Sequence, residues 1–509
     1  MKRLILLLLT IPLLGVATAQ TAWDGLQFSQ NFYGGTARFT AMGGAFAALG
    51  GDFSSLSVNP AGIGVFRSWD LMFTPTVSYN ITDTKYLKEA DSDSYTSLGF
   101  DNIGLVIDVY NGESLKFNLG VGYNKLNSFI DRTYAYGTNN NNSYAAAIAN
   151  AAKGIDPGIL NGNDAFSQAN WTVVLAWDTW LLEEDGAGNK YIAATQNYSP
   201  SGLPIHGGPL NQSYYKEVNG HSGEFLLSFG GNVVDEFYFG MNLGIQNVWK
   251  NWYQSITEKA VNSGNFETGF NTLMHESEIE TRGAGCNLKL GFIWRPIGGL
   301  RWGAYFHSPS WLYLTDKYSE KMSVKFDATP NALADFKSAE SPLGNFDYMV
   351  TTPMKWGTGL AYVIGNIAII SVEYEGLNYG TTRMSGYNGR RYVKLPYPDK
   401  DHPKYNYEDD YTKDNFGLVT NIRAGVELRL APVAIRAGFA HYGSPLKNNK
   451  NYASNIFSAG LGYNTGNFYI DGAYSFALSG DRDRDMYEGS PMITNSFFGK
   501  VALTLGFRF

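Results

Sequence analysis

Leu115-Lys116-Phe117-Asn118-Leu119-Gly120-Val121-Gly122-Tyr123-Asn124 decides the fold of this chain. Leu115, Phe117, Leu119, Val121 and Tyr123 share one face, and Lys116, Asn118, Gly120, Gly122 and Asn124 share the other. Successive side chains of a strand point to opposite faces, so this is a strand with one apolar and one polar side. A three-residue turn, Asn111-Gly112-Glu113, precedes it, and a long polar connection, 128–222, follows it.

The same rhythm runs outward in both directions. Alternating segments are read at 69–81, 98–110, 115–127, 223–233, 237–252, 279–295, 300–314, 348–363, 367–379, 417–430, 433–441, 454–463, 468–478 and 496–509, about fourteen in all. Short turns rich in Gly and Asn join them at 111–113, 234–236, 296–299, 365–366, 431–432 and 464–467. Long stretches, 82–97, 128–222, 253–278, 315–347, 380–416, 442–453 and 479–495, fall strictly between the short ones. An up-and-down barrel of the outer membrane requires that order, with short periplasmic turns, long exterior loops and an even strand number. The expected fold is therefore all-β: an antiparallel outer-membrane barrel of about fourteen strands, with both of its ends on the periplasmic side.

Composition agrees. Charged residues are 17% of the chain, below the usual ~25%. Gly (58), Tyr (34) and Phe (31) are abundant. After the N-terminus no apolar run reaches the ~18 residues of a membrane-spanning helix. The net charge of −7 argues against nucleic acid as a partner. Trp69, Trp294 and Trp302 fall at turn-side strand ends, and Trp249, Trp252 and Trp311 at loop-side ends, as interfacial girdles do. The last strand closes on Phe507-Arg508-Phe509, a terminal aromatic of the kind the barrel-assembly machinery recognises, which marks Phe509 as its contact. Lipid and lipopolysaccharide of a Gram-negative outer membrane are the expected surroundings.

Residues 1–19 read as a secretory signal, with Lys2 and Arg3, an apolar stretch, and Ala17-Thr18-Ala19 at the cleavage site. Cys286 is the sole cysteine, so no intramolecular disulfide forms. Residues 20–67, ahead of the barrel proper at 68–509, break the alternation and are rich in small residues. Such a segment on the periplasmic side is expected to fold into the bore as a hatch, its Phe and Met content arguing against a disordered tail.

Gly43-Gly44-Ala45-Phe46-Ala47-Ala48, with Asp52, Ser54 and Ser55 and then Asn59-Pro60-Ala61-Gly62, resembles the hatch of the FadL/TodX family of outer-membrane transporters for hydrophobic compounds. Leu290-Gly291-Phe292, Trp302 through Pro309, Thr352-Pro353, Asn421 through Glu427 and Ile435 through Phe439 are similar too. The resemblance covers most of the chain, is strongest at 34–66 and 286–440, and looks most like a Bacteroidetes branch labelled haemin receptor. It implies a fourteen-stranded barrel that admits hydrophobic small molecules, such as long-chain fatty acids, and releases them sideways through its wall. It implies also that Asn59, Pro60, Ala61 and Gly62 form the gate beside that opening, and that the third strand is kinked. Gly120 and Gly122 are the residues suited to a kink. Some relatives serve the type IX secretion system as shuttles for secreted proteins, which is the alternative reading.

Within 128–222, Phe166, Trp171, Val174, Trp177 and Leu181 recur near helical spacing. They form either an apolar groove that captures ligand or the loop's own small core. No catalytic arrangement is legible, so no enzyme activity is expected. His206, His221, His275, His307, His402 and His441 lack metal-ligand spacing, which leaves no metal, haem or other cofactor to expect. Asp481-Arg482-Asp483-Arg484-Asp485 lacks the Gly and Glu of a calcium loop, with Met486 and Met492 in their places, and reads as a solvated exterior loop.

Overall fold

In the computed structural model, residues 21–186, 190–330, 333–386 and 404–509 are described. The expected signal segment, 1–19, and His402 lie outside them. Fourteen antiparallel wall strands close into a barrel. They are β1 Asp70–Tyr86, β2 Glu89–Asn111, β3 Leu115–Ser128 (continued by Asp131–Asn139), β4 Leu210–Val233, β5 Phe237–Ala260, β6 Phe270–Ile297, and β7 Leu300–His307 (continued by Trp311–Phe326). The circuit goes on through β8 Gly344–Thr351 (continued by Lys355–Ile364), β9 Ala368–Asn378, β10 Leu418–Leu430, β11 Val433–Tyr442, β12 Ser454–Asn464, β13 Phe468–Leu478 and β14 Pro491–Arg508. Each strand pairs with its neighbour in sequence, and β14 returns to β1 through Asp70↔Arg508 to Tyr86↔Met492, so no edge is left at the seam.

The pleat sorts the side chains as a membrane demands. On β5, Met241, Leu243 and Ile245 are exposed on the outer face, while Asn242, Gly244 and Gln246 are buried in the bore. Trp69, Trp294, Trp302, Trp311 and Trp356 are exposed on the outer wall. Trp252 departs from the girdle read in the sequence. It shares the parity of the buried Val248 and Lys250 and packs inward beside Phe28 and Leu312.

Several long connections are shorter than their composition suggests. Residues 82–97 are not a loop: β1 and β2 run on as a paired hairpin to Tyr86↔Glu89, closed by Leu87 and Lys88. The stretches 253–278 and 315–347 likewise hold extended strand, with β5 paired to β6 as far as Lys259↔Thr272 and β7 paired to a short return strand, Asp335–Glu340. Beyond the bilayer neither face meets lipid, so the apolar alternation stops although the ladder does not. Strands seven and eight are each broken, at Pro309 and Pro353, residues that cannot donate to a ladder. In the β4–β5 turn the positive φ comes from Val234 (45°) and Asp235 (57°), without glycine.

The true insertion between β3 and β4 is 140–209, a cap outside the membrane. Its helices are Tyr144–Ala152, Pro157–Leu160, Ala165–Gln168 and Trp171–Asp178. They share a core with the protruding ends of β6 and β7, through Phe270, Leu273, Met322 and Val324.

Candidate functional site

Residues 21–67 fill the bore. The path starts at the loop side with helix α1, Ala22–Ser29, which Thr21 caps by a reciprocal bond with Asp24. Residues 30–34 run extended, and Thr36 opens α2, Ala37–Ala41, by accepting from the Phe39 amide at 3.1 Å. Gly43 and Gly44 turn the chain at positive φ (63° and 74°). Two short 3-10 turns follow, Phe53–Ser57 capped by Asp52 and Pro60–Val65 capped by Asn59 with Pro60 at its first position. Each helix or turn thus starts on a side-chain cap, Thr21, Thr36, Asp52 or Asn59, which helps so short a segment hold a fixed shape.

Wall side chains finish the job. Short hatch turns leave many backbone groups unpaired, and inside a bore each needs a partner. Glu373 Oε2 accepts from the Phe46 and Ala47 amides at 3.0 and 2.9 Å. Arg423, 1% exposed, donates to Glu373 at 2.5 Å and to Glu375 at 3.0 Å, and the Tyr305 hydroxyl donates to both carboxylates. Lys289, paired with Glu224, donates to the Ser57 carbonyl at 3.0 Å, and Arg301 donates to the Leu49 carbonyl at 2.7 Å. His307 Nε2 lies 2.6 Å from the Val58 carbonyl. Nearer the turn side, Arg38 of the hatch pairs with Glu427 at 2.8 Å, and Arg436 joins Glu427 to Asp471.

Asn59 holds the hatch to itself and to the wall. Its amide donates to the Ala47 carbonyl at 2.6 Å and to the Phe292 carbonyl at 3.1 Å, while its oxygen accepts from Ala61 at 3.0 Å. Wall glycines make this approach possible. Side chains at Gly291, Gly240 and Gly303 would collide with Asn59, Pro60 and Ala47. The Gly62 carbonyl accepts from Gly51, and Ala61 packs against Tyr238 and Ile293. Asn59, Pro60 and Ala61 therefore sit against β5 and β6, with Gly62 behind them against Gly50 and Ser55 of the hatch, and not at the break in the wall described next.

That break lies between β2 and β3. Their ladder runs from Asn111↔Lys116 to Asn102↔Asn124 and ends there. Above it β2 stays paired to β1, and β3 stays paired to β4. The register of β3 slips between Lys125 and Asn127, and the strand is interrupted at 129–130. Gly120 and Gly122 lie inside the regular ladder, below the bend. Their missing side chains instead admit the hatch: Phe53 fills the space at Gly122, and Leu56 and Ile63 that at Gly120.

A cavity of about 350 Å³ opens beside the bend, lined among others by Phe32, Phe129, Ile130, Arg423, Phe498 and Lys500. A second, of about 560 Å³, lies at the turn-side mouth, lined among others by Arg38, Asp52, Asp70, Glu427, Arg436 and Arg508. The hatch stands between them, with Thr40, Gly43 and Gly44 lining the first and Thr36, Gly50 and Gly51 lining the second.

The aromatic stretch of the cap is its own core. Val174 and Leu181 are fully buried, Trp171 packs on Tyr318 at 4.7 Å between centroids, and Trp177 donates to Asn161. Among the described residues no group of three or more His, Cys, Asp or Glu could hold a metal ion. In the 481–485 stretch, Asp483 and Asp485 are exposed, whereas Arg482 and Arg484 line the upper cavity.

The ionic lattice of Glu373, Glu375, Arg423 and Glu427 was not singled out from sequence. The available signal was charge at the bore-facing parity of β9 and β10, where an apolar core would have excluded it.

The architecture is similar to that of a Pseudomonas aeruginosa FadL homologue, at 12% identity over 93% of this chain and 98% of that chain, with a TM-score of 0.51. It is similar also to the P. putida toluene transporter TodX, at 11% identity over 94% of this chain and 99% of that chain, with a TM-score of 0.52. At such identities the likeness is one of fold. No protein-family model and no curated protein matches the chain. Fold and the Asn59-Pro60-Ala61-Gly62 resemblance agree on one architecture, a closed fourteen-stranded barrel with its leading segment in the bore.

Proposed function

We propose that this barrel is a passive channel for hydrophobic small molecules, such as long-chain fatty acids, in a Gram-negative outer membrane, and that it releases them sideways. The observation that carries the reading is the unzipped upper half of the β2–β3 seam beside a cavity lined by Phe32, Phe129, Ile130 and Phe498. A hydrophobic ligand gains about 25 cal/mol for each Å² of apolar surface it buries there. The hatch stands in the axial path, held by polar contacts to the wall such as those of Glu373, Lys289, Arg301 and His307, whereas the lateral path crosses a seam that lacks ladder bonds. The toluene transporter and the FadL homologue of like fold support the ligand class. In this reading Asn59, Pro60, Ala61 and Gly62 act at a distance from the seam, by fixing the hatch against β5 and β6. No covalent chemistry is involved.

The test is entry of a labelled long-chain fatty acid into vesicles carrying the protein, its Asn59→Ala variant or its Pro60→Ala variant. The reading expects uptake above protein-free vesicles and a several-fold change in both variants. Uptake no faster than in protein-free vesicles would overturn the channel. Equal uptake in all three would remove the hatch from the path. A protein that co-purifies with the barrel and is lost on deleting 140–209 would favour a shuttle for secreted proteins instead.

A further inference from the structure

The seam parts at two bulges that face each other. On β2, Thr74 pairs with Asn102 and Pro75 with Phe100, so Asp101 is the extra residue. On β3, Lys125 pairs with Gly223 and Asn127 with Ser222, so Leu126 is the extra residue. A bulge re-aims its side chain and ends regular pairing. Asp101 is thereby turned into the bore, where it is 1% exposed, while Leu98 on the same strand is 80% exposed.

Four strands meet at the Asp101 carboxylate. It receives Lys125 of β3 at 2.7 Å, Lys500 of β14 at 2.8 Å and the Thr76 hydroxyl of β1 at 3.1 Å. The hatch completes the junction. The Phe32 amide donates to the Leu126 carbonyl at 2.9 Å and the Gly34 amide to the Lys125 carbonyl at 2.8 Å. The Asn127 amide group donates to the Gln30 carbonyl at 3.1 Å. Residues 30–34 thus occupy, from the inside, part of the pairing that β2 gives up. A side chain at Gly34 would begin 2.8 Å from Asp101 Oδ2 and 3.0 Å from the Lys125 carbonyl, so only glycine fits between clamp and bend.

We propose that Asp101 is the clamp of a gate: it ties β2 to the bent β3 across the unzipped seam and seats residues 30–34 of the hatch there, so that lateral passage requires Lys125 to leave it. This rests on the lateral-release reading above and adds the residue that regulates it. The physical basis is asymmetry of charge. Two ammonium groups share one carboxylate in a closed setting. Removing it leaves two like charges facing each other without a partner, which is far more costly than the intact cluster. Lys125 must then swing towards water, and its backbone carries the Leu126 and Lys125 carbonyls away from the hatch.

The experiment compares the full chain in lipid nanodiscs with its Asp101→Asn variant, reading hydrogen exchange at the Phe32 and Gly34 amides. The Phe46 and Ala47 amides, held by Glu373, serve as the internal reference. The clamp predicts exchange at Phe32 and Gly34 at least tenfold faster, with Phe46 and Ala47 unchanged, and a several-fold faster escape of labelled fatty acid into vesicle lipid. Asp101→Glu, which keeps the charge, is expected to restore most of both. Unchanged exchange at Phe32 and Gly34 overturns the proposal, as does equal acceleration at all four amides, which is general loosening. If the wild type carries label and the variant carries it no faster despite accelerated exchange, the gate role is overturned. If the wild type carries no label, the channel reading fails, and the exchange data alone decide whether Asp101 is a clamp.

Discussion

Asn59 of the hatch lies flat on Gly291 of β6, at a point where a methyl group would collide with Asn59 Oδ1. The contact is two-sided, because the wall must lack a side chain for the hatch to own one. Gly291→Ala is therefore expected to lift Asn59 from the Phe292 and Ala47 carbonyls. Asn59→Ala removes the same bonds directly, at about 1–3 kcal/mol for a buried carbonyl left without a donor. The double variant should cost less than the sum, since both changes destroy one interaction. Denaturant unfolding of the three variants in detergent checks this.

Glu373 joins hatch and wall through the Phe46 and Ala47 amides and Arg423. Glu373→Ala leaves the Ala47 amide orphaned, the Phe46 amide with the Gly44 carbonyl alone and Arg423 with Glu375 alone. Breaking a buried pair on one side costs about 3–5 kcal/mol. Glu373→Gln keeps an acceptor and is expected to cost less. The midpoint of unfolding, read together with protease cleavage within 36–52, measures both.

The lipid-facing assignment of Leu243 predicts a depth-dependent penalty. Leu243→Arg, in the middle of the exposed apolar row of β5, should destabilise folding into liposomes by about 2–4 kcal/mol. Asn251→Arg, on the same face but beyond Trp249, should cost about 0–1 kcal/mol. Equal penalties would mean that the membrane does not lie where the aromatic residues mark it.

The cap has a built-in response to pH. Glu258, at the outer end of β5, accepts from the Tyr144 and Ala145 amides and from Gln212, and burial pushes its carboxyl up to about 7 against that hydrogen bonding. A carboxyl with a raised folded value binds its proton more tightly in the folded than in the unfolded state. The stability it contributes is therefore lost as pH rises from about 4.5 to about 7 and levels off above that. Protection of the Tyr144–Ala152 helix from exchange should increase as pH falls from 8 to about 5, after correction for intrinsic rates. Glu258→Gln should flatten that dependence.

Leu181 separates a cap core from a capture surface. It is fully buried among Val174, Leu175 and Leu182. Leu181→Ala is expected to destabilise the cap by about 2–5 kcal/mol and to open 140–209 to protease. Trp180→Ala next to it, where the indole is 58% exposed under Lys337, should change cap stability by less than ~1 kcal/mol.

The wall was legible in the sequence wherever the two sides of a strand meet different solvents. Leu115 through Asn124 and Phe468 through Leu478 alternate because lipid selects one parity and the wet bore the other. The hatch was legible through Asn59 and Pro60, residues whose capping and φ requirements are local. Where local preference carries no such contrast, tertiary structure decided. The outer halves of β1 and β2 face no lipid, and the buried side of β1 carries polar Asn80, Thr82 and Thr84, so they read as loop, yet their ladder persists. Trp252 turned inward because parity, set by Val248 and Lys250, outranks the interfacial preference of an indole. The bend of β3 lies at Leu126 and not at Gly120 or Gly122, because those glycines are spaces for Phe53 and Ile63. Asp101 meets Lys125 and Lys500, and Glu373 meets Arg423 and Ala47, across tens to hundreds of residues. Such meetings are products of strand register, which depends on every turn and bulge in the closed sheet and cannot be read from any one segment.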